Sequence, residues 1–449
     1  MITYQDLEKH SDSEQKKADF VRTCIEAHKR SEFYEIARDA YEYNCHRNVT
    51  IRNYQKLLYK VTGEAIPDNF SANFKMACRH FHRFLVQEVQ YLLGNGVTWN
   101  NEDTEGRLGT ARYPFDNQLQ DACKKARWGG VAFGFFNLDH IDVFSILEFV
   151  PLYDEDDGSM KAGIRFWQID STKPLRATLY EIDGYTEYKW GENGAEIVRE
   201  KTKYILKTRT TKADGTEIYD GENYPSFPIV PLWANPEHQS ALVGLREQID
   251  CYDLIKSGFA NTVDEASFVY WTINNAGGMT DIDLAKFVER LKTLHAATVQ
   301  DDGARAESHQ QEPPYASREA LLDRLDRDLY RDAMALDTDN LASGAVTATQ
   351  IRAAYEPLNS KTDEFEYCVL DFIQGILSIA GIKDEPSFTR SAIVNVQEEV
   401  SVILQAASYL PEDYISEKIL TVLGDSDKVE DALKQMSADD LNRITITEE

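Results

Sequence analysis

From Ser71 to Leu93 apolar side chains return every three or four residues, at Phe74, Cys78, Phe81, Leu85, Val89 and Leu92. That spacing lays one stripe along a helix, and Gly94 follows where a C-terminal cap belongs. The first 60 residues predict polar helices, with Tyr34, Ile36, Ala40 and Tyr41 among their apolar points. A further helix is predicted from Phe115 to Trp128, ending at Gly129-Gly130.

The period then changes. Val131 to Phe136, Ile146 to Val150, Gly163 to Ile169, Arg176 to Ile182, Tyr185 to Trp190 and Lys203 to Thr208 are short and rich in β-branched and aromatic residues. Turn clusters such as Asp154-Glu155-Asp156-Asp157-Gly158 and Asp183-Gly184 separate them, which predicts an antiparallel meander. Tyr224 to Trp233 closes it, and Pro225, Pro228 and Pro231 suit an edge strand or an extended crossing.

After Pro236 the helical period returns. Leu242, Leu245, Ile249, Tyr252, Ile255, Phe259 and Val263 mark one stripe. The segment Phe268 to Gln311 predicts a strand (Val269 to Ile273), a Gly277-Gly278 turn, a helix (Ile282 to His295) and a polar loop. A second long helix runs from Ser317 to Asp337, with Leu322, Leu325, Leu329, Ala333 and Leu336 on one side. Its other side is charge: Asp323, Arg324, Asp326, Arg327, Asp328, Arg331 and Asp332. A loop, Thr338 to Val346, leads to a helix from Thr347 to Ala380 that is broken or kinked at Pro357, since proline lacks the interior donor. The tail from Ser387 holds a strand-like run, then helices, and ends in the acidic stretch Ser437 to Glu449.

Composition narrows the class. Over 449 residues, 42% hydrophobic and 28% charged, two or three domains with sizeable cores are expected. The six cysteines are scattered without a CxxC pair, which favours a reducing compartment over disulfides or a zinc-thiolate site. Met1 to Phe20 carry many charges and no apolar run, so no secretory signal is expected, and without a run of 18 apolar residues no membrane span is expected either. The net charge of −28 opposes a stationary complex with nucleic acid. Charge alone leaves two readings: an acidic protein kept apart from nonspecific partners, or a surface that DNA passes without sticking.

Motifs for chemistry are few. No GxxxxGK[ST] and no HExxH occurs. Gly94-Asn95-Gly96 and Gly129-Gly130 sit where helices stop and read as caps. His80 and His82 lie about 200° apart on a helix, facing different sides. In Asp154 to Gly158 the first and twelfth calcium-loop positions would fall on Tyr153 and Ile164, so an acidic turn is expected. Ser343-Gly344 has no GxSxG frame. Lys124, Lys125 and Arg127, with Arg79 and Arg83, are read as solvated helix ends in preference to phosphate contacts. No catalytic residue, metal ligand or cofactor is assigned.

Several short segments resemble the portal proteins of tailed phages, of the Bacillus siphophage type. They are Asn73-Phe74-Lys75 with Tyr91-Leu92-Leu93-Gly94, Gly129 to Gly134, and Pro151 to Asp154 followed by Ile164-Arg165-Phe166. Phe227 to Pro231 before Ile249-Asp250-Cys251-Tyr252 and Ser257, then Ser343-Gly344-Ala345, complete the series in the family's order. Val346-Thr347 departs from the family's aliphatic-Lys pair, and residues 1 to 50 match poorly.

The resemblance implies an α+β portal fold. Residues 1–236 would be an N-terminal wing of helices and antiparallel sheet, and 237–266 and 313–337 two stem helices. Residues 267–312 would be an α/β clip, 338–346 a tunnel loop, 347–386 a kinked wing helix, and 387–449 a wing return and helical crown. It implies a dodecameric ring at one capsid vertex, assembled in the host cytoplasm and carried in the virion. Double-stranded DNA would pass without sequence specificity during packaging and ejection. The terminase large subunit, a head-completion or adaptor protein, scaffold and major capsid protein would be partners, with no membrane contact. Asp339, Asn340, Leu341, Ser343 and Gly344 would meet DNA in the tunnel loop. Asp323, Arg324, Asp326, Arg327, Asp328 and Arg331 would face the channel. Asp281, Lys286, Glu289, Arg290 and Lys292 would dock partners on the clip. Two rivals come from other classes: a carboxylate-dependent metal hydrolase or nuclease of phage origin, and a monomeric binding module.

Overall fold

The computed structural model describes residues 2–59, 63–69, 71–191, 194–211, 217–266, 270–274, 305–309, 315–339, 347–391 and 396–423, with 280, 282 and 429. The chain divides into two compact units. The larger holds Met1–Tyr41, Phe81–Val243 and Tyr330–Glu449, and the smaller holds Glu42–His80 and Gly244–Leu329.

In the larger unit an antiparallel meander runs through Phe149–Tyr153, Met160–Trp167, Leu175–Glu181, Gly184–Gly191 and Gly194–Thr202. One face alternates inward, with Val150, Leu152, Ala162, Ile164, Phe166, Ala177, Leu179, Tyr188 and Trp190 buried. The helix Glu14–Lys29 covers it with Ala18, Val21, Cys24 and Ile25. Period two on the strands and 3.6 on the helix thus meet in one core.

A second sheet has three strands, with Val131–Asn137 between Ile229–Trp233 and His140–Ser145. Its central strand is buried along six consecutive residues, as expected where both faces are covered. The helix Phe115–Gly129 packs on it and turns into it through Gly130, at φ +83°. The long helix Ala348–Ala380 also packs against it. Two glycines permit that approach: a Cβ on Gly134 would lie 2.5 Å from Phe372, and one on Gly375 2.7 Å from Val230. Phe133, Phe144 and Phe149 stack between the two sheets, with ring centroids 4.4 and 5.8 Å apart.

The smaller unit contains the helices Val49–Asn53 and Arg246–Ala266. Strands Leu57–Tyr59 and Ala65–Pro67 form one hairpin, and Tyr270–Asn274 pairs with Arg305–His309. The helix Tyr315–Asp332 contributes its residues up to Leu329.

Several expectations are corrected. The helix expected from Ser71 begins at His80, because the backbone amides before it are taken by side chains of another helix. The strand expected at Ile146 starts at Phe149, and His140–Ser145 and Gly194–Thr202 are strands outside the expected segments. The single meander is in fact two separate sheets with additional hairpins. The helix expected from Leu242 begins at Arg246, after Gly244 at φ +86°. That expected to reach Asp337 ends at Asp332, where Met334 takes φ +50° and Ala335 N–H donates to the Tyr330 carbonyl. Arg305–His309, expected as loop, is a strand. The helix through Pro357 is continuous over 33 residues and not broken. Pro231 does lie in an edge strand, opposite Phe133. The expected Gly277-Gly278 turn, nearly all of the Ile282 to His295 helix and the acidic stretch Ser437 to Glu449 lie outside the described residues.

Candidate functional site: a strapped helix and a buried charge cluster

The smaller unit is organised by the helix Arg246–Ala266. Asp253, Ser257 and Asn261 stand on one face, spaced by four residues, and an extended strap from Asn73 to Arg79 runs along them. Cys78 N–H donates to Asp253 Oδ1 at 2.8 Å, Met76 N–H to Ser257 Oγ at 3.0 Å, and Phe74 N–H to Asn261 Oδ1 at 2.7 Å. The match is metric. Four helical residues rise about 6 Å and two extended residues about 6.6 Å, so an antiparallel strap stays in step with the face.

Asp253 is fully buried, and its other oxygen accepts Asn48 Nδ2 at 2.8 Å. Asn48 in turn caps the helix Val49–Asn53 by accepting Ile51 N–H at 3.0 Å. Burial pushes the Asp253 carboxyl above the usual carboxylate range, against the pull of its Asn48 and Cys78 donors. The expected apolar stripe of this helix is only partly covered: Tyr252, Ile255 and Phe259 are half-buried, and Val263 is exposed.

On the helix Tyr315–Asp332, Leu329 and Tyr330 are buried and Leu322 and Leu325 half-buried, with Ala333 and Leu336 buried beyond its end, whereas Asp323, Arg324, Arg327, Arg331 and Asp332 are exposed. Arg324 and Asp328 lie 3.6 Å apart, one turn along. Asp326 is half-buried and accepts a hydrogen bond from His80 Nε2 at 2.6 Å. Of the tunnel-loop residues only Asp339 is described, with its N–H on Asp337 Oδ1 at 3.1 Å. Asn340, Leu341, Ser343 and Gly344 lie outside the described residues, as do Asp281, Lys286, Glu289, Arg290 and Lys292.

Sequence reasoning missed a cluster in the larger unit. Glu88, fully buried, accepts Arg127 Nε at 3.1 Å and Lys361 Nζ at 2.9 Å. Arg127 also donates to the Ala234 carbonyl at 2.6 Å, and Lys361 to the Ala333 carbonyl at 3.1 Å. Arg127, read as solvated, is therefore a core cation. Burial pushes the Lys361 amine down, opposed by Glu88. The same helix ties down the chain on either side of residues 340–346. Gln87 pairs with both backbone groups of Leu336 at 2.9 and 3.0 Å, and Arg83 donates to the Tyr330 hydroxyl. Tyr91 donates to Asn359 and stacks on Tyr355 at 5.4 Å.

The remaining candidates are structural. Asp154 to Gly158 is a hairpin turn in which Asp157 accepts the Ser159 hydroxyl and N–H and pairs with Lys161 at 3.0 Å. Those bonds, the Ser159 hydroxyl first, hold the Asp157 carboxyl down at about 2. Lys125 reaches the Val143 carbonyl at 2.9 Å. Among the described residues no three His, Cys, Asp or Glu side chains converge as a metal site, and no helix is long and apolar enough to cross a membrane.

Residues 23–442 match the family described as phage portal protein, SPP1 Gp6-like. The chain belongs to that family. It is 25% identical over 201 residues to a portal protein of Clostridium phage phiCD119, covering 43% of this chain and 45% of that one. It is 23% identical over 348 residues to a portal protein of Bacillus phage SPP1, covering 72% and 65%. The matches thus span less than two thirds of either relative. Among solved structures, the necks of native and empty gene transfer agent (GTA) particles superpose with TM-scores of 0.46 and 0.47 at 10% and 11% identity. They cover 76% and 77% of this chain and 89% and 90% of theirs.

Proposed function

We propose that the chain is one subunit of a portal ring at a single capsid vertex. Double-stranded DNA passes through that ring during packaging and ejection. The ring also gives the terminase large subunit, and later a head-completion or adaptor protein, a place to dock. Family membership over residues 23–442 carries this reading.

Within it, residues 1–236 and 347–386 form the wing, 237–266 and 313–337 the stem, 267–312 the clip, 338–346 the tunnel loop and 387–449 the wing return and crown. The ring meets scaffold and major capsid protein in the virion and is assembled in the host cytoplasm. Its work is mechanical and electrostatic, with no catalytic step. Two features of the chain support it. The Tyr315–Asp332 helix buries leucine and tyrosine while leaving charge outward, and Tyr252, Ile255, Phe259 and Val263 keep apolar surface open to a neighbouring copy. A copy-to-copy contact would bury that surface at about 25 cal/mol per Å². A bore lined by acidic subunits releases few phosphate counterions, so DNA slides in preference to sticking.

Particle mass tests the ring. Twelve subunits of 51.2 kDa give about 614 kDa, with annular particles by negative stain; a single-copy particle at high concentration rejects the proposal. Deleting Asn340 to Gly344 tests the loop: rings and procapsids are expected to form but to fail in packaging or retaining DNA, and full infectious heads reject that assignment. Neutralising the acidic residues of Ser317 to Asp337 tests the bore, since packaging rates unchanged at every salt concentration would remove the electrostatic argument.

A further inference from the structure

The protein carries 76 acidic side chains against 48 basic ones, so a recess whose charged lining, among the described residues, is cationic throughout stands out in it. The smaller unit has one, a cavity of about 270 Å³. Lys56, Lys75 and Arg318 supply charge to its wall, and Asn73, Asn261 and Thr262 supply polar groups.

Two of the cations are held by oxygens that leave their charge uncompensated. Lys75 Nζ donates to the Arg52 carbonyl at 2.6 Å. Arg318 Nη1 donates to the Gly258 carbonyl at 3.2 Å and to the Thr262 hydroxyl at 2.7 Å. Among the described residues neither has a carboxylate within ion-pair distance. The site is also pre-positioned. Lys75 lies between Phe74 and Met76, whose N–H groups are fastened to Asn261 and Ser257. Because Asn261 Oδ1 accepts from Phe74, its amide is turned so that Nδ2 remains a donor.

We infer that this cavity binds a phosphate group. A point charge on Lys75, a planar fork on Arg318 and an amide donor on Asn261 suit an anion with several oxygens, each able to accept. A single carboxylate would leave part of that set unmet. The phosphate comes either from solution or from the backbone of nucleic acid, where most protein contacts are to phosphate. The second source rests on the portal reading; the first does not.

Equilibrium dialysis of the full chain against radiolabelled inorganic phosphate tests the site, at about 150 mM NaCl to shorten the range of surface charge to ~8 Å. The net charge of −28 excludes anions from the protein compartment, so retention above the bath reports a specific site. The native chain is expected to retain one phosphate per subunit. Lys75→Gln and Arg318→Gln each weaken retention about tenfold, whereas Lys189→Gln, paired with Glu196 on the sheet, leaves it unchanged. Arg318→Lys, which keeps the charge but loses the fork, is expected to fall between the native chain and Arg318→Gln, a grading that a folding defect would not give. A duplex of about 20 base pairs that releases the label assigns the backbone as source; a label that stays assigns free phosphate. No retention by the native chain, or equal retention by Lys75→Gln, overturns the inference. Particle mass on the same sample reports ring formation separately, so either idea fails without the other.

Discussion

Glu88 and Asp323 are both carboxylates on helices, yet they stand in opposite physical situations. Glu88 has lost its water and holds two cations from two other helices. Asp323 stands among alternating charges that face outward. The first kind of site makes three helices mutually dependent, because removing one partner strands a charge in the core. The second can be rewritten at little cost to folding.

The contrast is broken most severely at its buried end. Glu88→Ala leaves Arg127 and Lys361 without a counter-charge and should cost about 3–5 kcal/mol in urea unfolding. Replacing all three with apolar residues of similar size, Glu88→Leu with Arg127→Met and Lys361→Met, should recover most of that loss. A triple variant as weak as the single one would mean that the cluster's hydrogen bonds to Ala234 and Ala333 matter more than its charges.

Next in size is Asp253. Asp253→Ala strands the Cys78 N–H and the Asn48 amide and should cost about 2–3 kcal/mol. Asp253→Asn retains an acceptor and changes the pH profile. Burial raises this carboxyl in the folded protein, so the folded state holds its proton more tightly than the unfolded chain. Its stabilising share is complete below about pH 3.9 and is lost as pH rises through the folded value. Urea midpoints across that window should slope downward in the native chain and flatten in Asp253→Asn.

Asp384 has the opposite sign. Its bonds from the Thr104 hydroxyl and from the Asn101, Asn100 and Glu385 N–H groups hold the carboxyl below the usual range. Their contribution is present above about pH 3.9 and is lost as pH falls through the folded value. Hydrogen-exchange protection at Asn100 and Asn101 should fall in step. The smallest effect is expected outside: Asp323→Asn with Asp328→Asn should shift stability by less than about 1 kcal/mol, and less still in high salt.

Much of this architecture was legible in the chain, and the misses have physical causes. Phe115–Gly129 is legible because its apolar spacing ends at a glycine pair, one of which takes a left-handed φ. The strap carries a helical signal because Phe74, Cys78 and Phe81 keep helical spacing, while the backbone there is fastened to Asp253, Ser257 and Asn261, more than 170 residues away in sequence. Tertiary hydrogen bonds override a local period. Gly194–Thr202 is a largely exposed and charged strand, so no apolar alternation marks it. The buried cluster did leave a trace. Glu88 falls between Leu85 and Leu92, Arg127 four residues after Cys123, and Lys361 between Leu358 and Phe365. Each charge occupies a place in an apolar register, and three such intrusions are a signal that they meet. The proposed clip and tunnel-loop residues have no comparable trace, since family resemblance alone implies them.

The strap has one more consequence. A segment zipped into a sheet frees its amides together, but this one is buttoned at three separate side chains of a single helix. Each fastening can be opened by one substitution while its neighbours hold. Cys78, Met76 and Phe74 should therefore exchange their amide hydrogens at three individual rates, the slowest at the fully enclosed Asp253 end, so that the chain ahead of His80 peels away step by step from Phe74 inward.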